Sequence, residues 1–192
     1  MKKSLQFLLF VVATLLVQSV ALASESRTPL QTVEGRAVVG WVEFVTLEDF
    51  DVIAKAKLDS GAMTSSLHAE KIEYFERDGR QWVRFEFDKK ARPPLHGMPA
   101  VPRQTRTIEA PLKRMVKIKQ HTVKYVQRPA VELALRIGDQ VYHVEFTLTD
   151  RDAFIYPVLL GRRFLQTALI IDPARIHVTG APESLLLIAS DE

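Results

Sequence analysis

Ala56-Lys57-Leu58-Asp59-Ser60-Gly61-Ala62 closes a stretch in which Ile53, Lys55 and Lys57 alternate with Ala54, Ala56 and Leu58. A period of two over Val52 to Leu58 predicts a strand with one buried face. That strand delivers Asp59 at its end, where a carboxylate can be held rigidly at the floor of a cleft. A hydroxyl at Ser60 can bond nearby backbone, Gly61 lets the chain turn sharply, and Ala62 keeps the floor clear. Carboxylates brought within about 3 Å of one another cannot both ionise. One member of such a pair can then take a proton from water while the other gives one to an amide oxygen. Taken alone the triplet is a weak signal, because Asp, Ser and Gly also make ordinary turns. Its weight comes from the strand before it and from Tyr156-Pro157-Val158-Leu159-Leu160-Gly161-Arg162-Arg163-Phe164-Leu165, about a hundred residues later.

The surrounding sequence reads as mostly β. Ala37 to Val45 is β-branched and aromatic, as strands prefer. Ile72–Phe75 and Trp82–Phe87 flank Arg77-Asp78-Gly79-Arg80, a hairpin with Asp-Gly at its tip. Ala130–Ile137 and Val141–Leu148 form a second hairpin across Gly138-Asp139. Lys89 to Gln104 carries Pro93, Pro94, Pro99 and Pro102 with Gly97 and shows no period, so it reads as a long loop of the kind that forms lids. One short helix is expected from Gly161-Arg162 through Ala168. Asp172-Pro173 reads as a turn, and Ile176-His177-Val178 as a last strand.

Lys2 and Lys3, the apolar run Phe7–Val17 and Ala21-Leu22-Ala23 match a secretory signal with cleavage before Ser24, which predicts a periplasmic protein without stable membrane insertion. Removing residues 1–23 from the 192 leaves 169 and takes the net charge from +3 to about +1. Residues 24–34 read as a linker, 35–180 as one domain and 181–192 as a tail. That charge gives no reason to expect nucleic acid. The chain has no cysteine, which excludes thiol catalysis, cysteine-ligated zinc and a lipid-anchored N-terminus. No Gly-x-x-x-x-Gly-Lys-Ser/Thr and no His-Glu-x-x-His is present. His68, His96, His121, His143 and His177 fall at no zinc spacing, so no cofactor is expected.

Together, Val39-Gly40-Trp41, Ala54 to Ala62, Thr64 to Ala69, Phe75 to Gly79, Leu148 to Asp152, Leu159 to Arg162 and Asp172 to Arg175 resemble the bacterial retropepsin-like aspartic endopeptidases, a family with the older label ATP-dependent zinc protease. The resemblance spans about residues 38–180. It implies a closed-barrel-like acid protease domain with one short C-terminal helix, and a peptide or protein substrate. It makes Asp59 the catalytic aspartate, with Ser60, Gly61 and Ala62 shaping its loop and Gly161-Arg162 buttressing the site. It also implies acidic or isopeptide-like targets, through the family's association with enzymes that attach glutamate. Glycine-rich flaps are usual there; the candidate here is the Pro-rich 89–104 segment.

The chain has no internal repeat and no second Asp-Ser/Thr-Gly, so a carboxylate pair requires a homodimer with two Asp59 residues facing across a two-fold axis. Asp172 is the internal rival, but it lacks the glycine turn. Two further readings stand beside the enzyme: a peptide-binding module on the same fold, and a zinc-dependent protease. His68 either lines the cleft or is a satisfied strand histidine. Lys113, Arg114, Lys117, Lys119 and Lys124 form either a basic wall or a solvated strand edge. Trp41 and Trp82 read as packing residues, and Arg162 as an ion-pair partner or a substrate ligand.

Overall fold

The computed structural model describes residues 31–91, 100–119, 125–183 and 185. The signal segment, most of the linker, the middle of the Pro-rich loop, His96, His121, Lys124 and nearly all of the tail beyond Glu183 lie outside these.

Among the described residues thirteen strands run in chain order: β1 (Thr32–Val33), β2 (Arg36–Gly40), β3 (Val42–Leu47), β4 (Val52–Asp59), β5 (Ser65–His68), β6 (Glu70–Arg77), β7 (Arg80–Lys89), β8 (Gln104–Pro111), β9 (Arg114–Lys119), β10 (Tyr125–Ile137), β11 (Gln140–Thr149), β12 (Val158–Gly161) and β13 (Leu169–Asp172), with helix α1 (Arg162–Ala168) between the last two. Six of them form a ring. β10 pairs with β11, β11 with β5, β5 with β12, β12 with β4, β4 with β3, and β3 with β10 again. The mostly β, barrel-like architecture read from the sequence is therefore present. β6, β7 and β8 make a separate antiparallel sheet.

Alternation along β4 does what its sequence demands. Val52, Ala54, Ala56 and Leu58 are buried, whereas Lys55, Lys57 and Asp59 face outward. The inner row packs with Leu47, Leu67, Leu135, Phe146, Leu148, Val158 and Leu160 in one core, and full burial of each large side chain is worth about 1.5–3 kcal/mol. Both hairpins occur as expected. Asp78 and Gly79 have φ of 53° and 69°, the left-handed pair that a two-residue turn between twisted strands requires. Gln140 pairs with Ile137 across Gly138-Asp139.

The strand expected over Ala37–Val45 is two strands, broken at Trp41. Trp41 N–H donates to Arg175 O and its carbonyl accepts from Leu58 N–H. Pairing also begins inside the expected linker, where Thr32 and Val33 lie opposite Ala37 and Arg36. Ile176-His177-Val178 is not a strand. Its backbone is taken by Glu43, a fully buried carboxylate of β3 that accepts from Gly40 N, Val178 N, Thr179 N and Thr179 Oγ1. His177 N–H goes to Val42 O, and His177 itself has φ 53°. The closing strand is instead β13, parallel to β2.

The 175–180 segment crosses so tightly over β2 that a Cβ at Gly40 would lie 2.5 Å from Arg175 O and 2.7 Å from Ile176 Cα. Gly40→Ala is expected to destabilise the fold by about 1–3 kcal/mol, the range for overpacking. Urea denaturation would register this as a lower midpoint at unchanged slope.

Candidate active site

β12 enters between β4 and β5, which are neighbours in sequence. It runs parallel to β4, with Leu160 opposite Leu58 and Gly161 opposite Asp59. It runs antiparallel to β5, with Leu159 opposite Ser66. The loop 60–64 therefore bridges over the end of β12, and Gly161 passes directly beneath it: a Cβ there would lie 2.4 Å from Thr64 C. Gly161 N–H donates to Ser65 Oγ at 3.0 Å, and Thr147 Oγ1 donates to Ser65 O at 2.9 Å.

Helix α1 begins at once and clamps the loop. Arg162 N–H donates to Ala62 O at 2.8 Å and Arg163 N–H to Met63 O at 3.2 Å. First-turn amides have no partner inside a helix; here the loop supplies it. The Arg162 guanidinium donates to Ser60 O at 2.8 Å through Nη1. The expected ion pair at Arg162 is thus a side-chain bond to backbone, on the loop that the sequence singled out.

Within that loop Asp59 is 26% exposed. Its Oδ1 accepts Gly61 N–H at 2.9 Å, its backbone carbonyl accepts Ala62 N–H at 3.2 Å, and Oδ2 lies 3.1 Å from Lys57 Nζ. Partial burial pushes the carboxyl upward, but the Lys57 bond and charge with the Gly61 and Ala62 amides outweigh it and hold the group below its ordinary value. In a single chain Asp59 is therefore an ionised carboxylate with both oxygens engaged. Asp172, the rival, is bound to its own turn through Ala174 N and Arg175 Nε.

Arg151, within the Leu148–Asp152 stretch but with no role read from it in the sequence, is a second member of the site. It is buried, and donates through Nη1 to Ser66 Oγ and through Nε to Tyr156 O, with Phe154 stacked on its guanidinium. Burial and the charge of Arg128 lower its pKa, and the charge of Asp59 raises it. Arg128 is also lowered by burial. Among the described residues neither arginine forms an ion pair with a carboxylate, although the Asp59 charge reaches Arg151. An apolar cavity of about 390 Å³ lies farther along the outer face of β4, lined by Trp41, Ile53, Lys55, Phe87, Ile155 and Tyr156 among others; Asp59 is not among its walls.

Lys113 pairs with Glu132 and Glu145, and Arg114 with Glu145, so those two cations form a neutralised strand edge and not a basic wall. Trp82 packs in its hairpin across from Phe75, whereas Trp41 is exposed and meets Tyr156 edge-on.

His68 is fully buried and does not line the cleft. With Glu70 and Asp150 it forms the one group among the described residues with metal-ligand spacing. The donors do not fit a cation. Nδ1 accepts Arg151 N–H at 3.0 Å, so a neutral ring carries its proton on Nε2 and has no lone pair left to give. That Nε2 lies 3.2 Å from Glu70 Oε1 but makes no hydrogen bond. Lys89, whose charge acts on His68, further opposes a cation there.

The ring, the inserted β12 and the clamped Asp-Ser-Gly turn define a retropepsin-like domain. The family model for the retropepsin-like aspartic endopeptidase RimB matches residues 38–182. The chain belongs to this RimB-like family. It is 34% identical over 140 residues to a probable alpha-L-glutamate ligase of Desulfotalea psychrophila, covering 72% of this chain and 28% of that protein. A protein of the same name from Parasynechococcus marenigrum is 33% identical over 146 residues, covering 76% and 30%. The chain thus spans about three tenths of the length of these curated relatives. The crystal structure of Lpg0085, a protein of unknown function from Legionella pneumophila, superposes with a TM-score of 0.60 at 34% identity, covering 74% of this chain and 98% of that one.

Burial holds His68 below its ordinary value near 6.5, with Lys89 adding to it and Glu70, Asp150 and Asp152 opposing. As pH falls below about 6.5 the unfolded chain takes a proton that the folded one refuses, so folding stability falls with it. Urea midpoints measured from about pH 7.5 downward should drop, and His68→Gln, which cannot titrate, should show a shallower drop over the same range.

Proposed function

We propose that the chain is an aspartic-type endopeptidase, exported to the periplasm and active as a homodimer, in which two Asp59 carboxylates share a proton and activate one water. The observation that carries this reading is the Asp59 turn: a carboxylate at the end of a buried strand, with Gly61 N–H on one oxygen and a loop clamped by Arg162 and Gly161. In the proposed reaction one Asp59 accepts a proton from water, the resulting hydroxide attacks the peptide carbonyl, and the partner copy's carboxyl protonates the carbonyl oxygen. Collapse of that tetrahedral species expels the amine with a proton returned to it. The pair titrates as a unit. The step requires no metal and no covalent intermediate.

Substrates with acidic side chains fit this site. The matched relatives are named as glutamate ligases, and Arg128 and Arg151 repel one another, with the Asp59 charge offsetting this at Arg151. An acidic residue of a bound peptide would offset that repulsion and accept charge-assisted bonds. The cavity along β4 would take an apolar side chain of the same peptide.

The peptide-binding alternative draws on one observation, the Lys57–Asp59 ion pair, which occupies an oxygen that catalysis needs. The zinc alternative is disfavoured by the His68 donor set.

Asp59→Asn is expected to reduce peptide hydrolysis by about a thousandfold or more, within the range for losing an acid–base group, while thermal unfolding stays close to wild type. Hydrolysis undiminished in that variant would sink the reading, and peptide binding without turnover in the wild type would favour the alternative. Arg151→Gln should raise KM for acidic peptides by about tenfold, a charge-assisted bond's worth, and change KM little for neutral ones.

A further inference from the structure

Strand periodicity puts Lys57 and Asp59 on the same face of β4, two residues and about 7 Å apart. Lys57 is 42% exposed and reaches forward so that its ammonium lies 3.1 Å from Oδ2, while Oδ1 is held by Gly61 N–H. Both oxygens of the carboxylate are thus engaged in the single chain, and only the Lys57 contact can be released without rebuilding the turn. Gly61 N–H is fixed by backbone, whereas Lys57 ends a flexible stem with rotatable donors, and a pair this exposed is weakly held.

The other charges facing this end of β4 are committed elsewhere. Arg162 of α1 is bonded to Ser60 O, and Arg151, in the segment before β12, is bonded to Ser66 and Tyr156 while still within reach of the Asp59 charge. Lys55, next along the row, sits 5.3 Å over the Phe44 ring. Lys57 is therefore, among these cations, the one that an exposed ion pair holds to Asp59 itself.

We infer that Lys57 is a positioning residue that controls the charge of Asp59: it holds the carboxylate ionised in the free chain, swings off Oδ2 when two copies meet, and thereafter sets the pH window of the reaction. The catalytic half of this rests on the endopeptidase reading. Two carboxylates facing one another keep one proton between them because their charges repel. Two Lys57 ammoniums, one from each copy, oppose that repulsion and favour the doubly ionised pair. The upper pH limit, where the shared proton is lost, is then lower than it would be without lysine. An arginine at 57 would preserve the charge, and a methionine would remove it with little change in bulk.

Two measurements on the full chain separate the parts. The first tracks the Asp59 carboxyl carbon by NMR as pH is varied in wild type, Lys57→Met and Lys57→Arg. Its midpoint should rise in the Met variant and stay near wild type in the Arg variant; no rise in the Met variant overturns the inference whether or not the protein is a peptidase. The second records the pH profile of kcat/KM. On the alkaline limb Lys57→Met should be faster than wild type by about threefold or more, as expected when an opposite charge is taken from a carboxylate. A uniform loss at every pH, with the limb unmoved, assigns Lys57 a structural role only and overturns the catalytic half. Lack of any wild-type hydrolysis sinks the endopeptidase reading by itself, while the carbon titration still decides whether Lys57 controls the charge.

Discussion

Beneath the bridge formed by residues 60–64 there is room for backbone and nothing more. The Thr64 carbonyl carbon and oxygen would lie 2.4 and 2.5 Å from any Cβ at Gly161, distances at which no side chain survives. β12 can occupy its slot only because position 161 is glycine, and that slot is what joins β4 to β5 in the ring. The same passage brings the N-terminus of α1 up to the loop, so that amides with no helical partner bond Ala62 O and Met63 O. One steric requirement thus closes the ring and fixes the turn that carries Asp59.

The electrostatic environment is as one-sided as the packing. Lys57, Arg151 and Arg162 surround the Asp59 turn, and Arg128 stands behind Arg151. Elsewhere several cations are matched: Arg136 with Glu48, Arg77 and Arg84 with Glu109, Arg103 with Asp88, Lys113 and Arg114 with Glu132 and Glu145. A concentration of positive charge raises the local population of anions. It also keeps a lone carboxylate ionised. Any chemistry that needs a protonated carboxyl at this site has to overcome that field, as the second carboxylate of the proposed dimer would.

Much of this was legible in residue order. The alternation over Val52–Leu58, the Asp-Gly and Gly-Asp tips of the two hairpins, and the apolar-Gly-Arg opening of α1 are local signals, and the structure carries each of them. The long-range features were not legible. Nothing in Glu43 announces a buried carboxylate that captures the 178–179 backbone, because its partners lie 135 and 136 residues away. That capture, with His177 N–H bound to Val42 O, is why a β-branched run at 176–178 fails to be a strand. Arg151 was hidden for the same reason, since its partner Ser66 lies 85 residues earlier. Lys57, by contrast, was in plain view. The period that exposed Asp59 also placed Lys57 beside it. The turn signal lies in Ser60, Gly61 and Ala62 on the C-terminal side of the aspartate, and the lysine on its N-terminal side reads from sequence only as the outward row of a strand.

Apolar side chains lie against the cations of the site. Met63, from the Asp59 loop, is 52% exposed, and Phe154 and Ile155, from the segment before β12, are 55% and 69% exposed. Single exposed apolar residues are ordinary on a protein surface. Here, however, they sit on the two segments that frame the site, with Phe154 stacked on the Arg151 guanidinium and Met63 Sδ 4.0 Å from Arg162 Nη2. Apolar caps over cations make a surface that gains from being covered: burial removes the caps from water and strengthens every charge interaction beneath them. An extended peptide lying over Asp59, or the second copy that would supply its partner carboxylate, covers this surface in the same act that brings the reacting groups together. Covering the turn also strengthens the Lys57–Asp59 attraction, so in the proposed dimer the release of Lys57 would have to be driven by the group that replaces it on Oδ2.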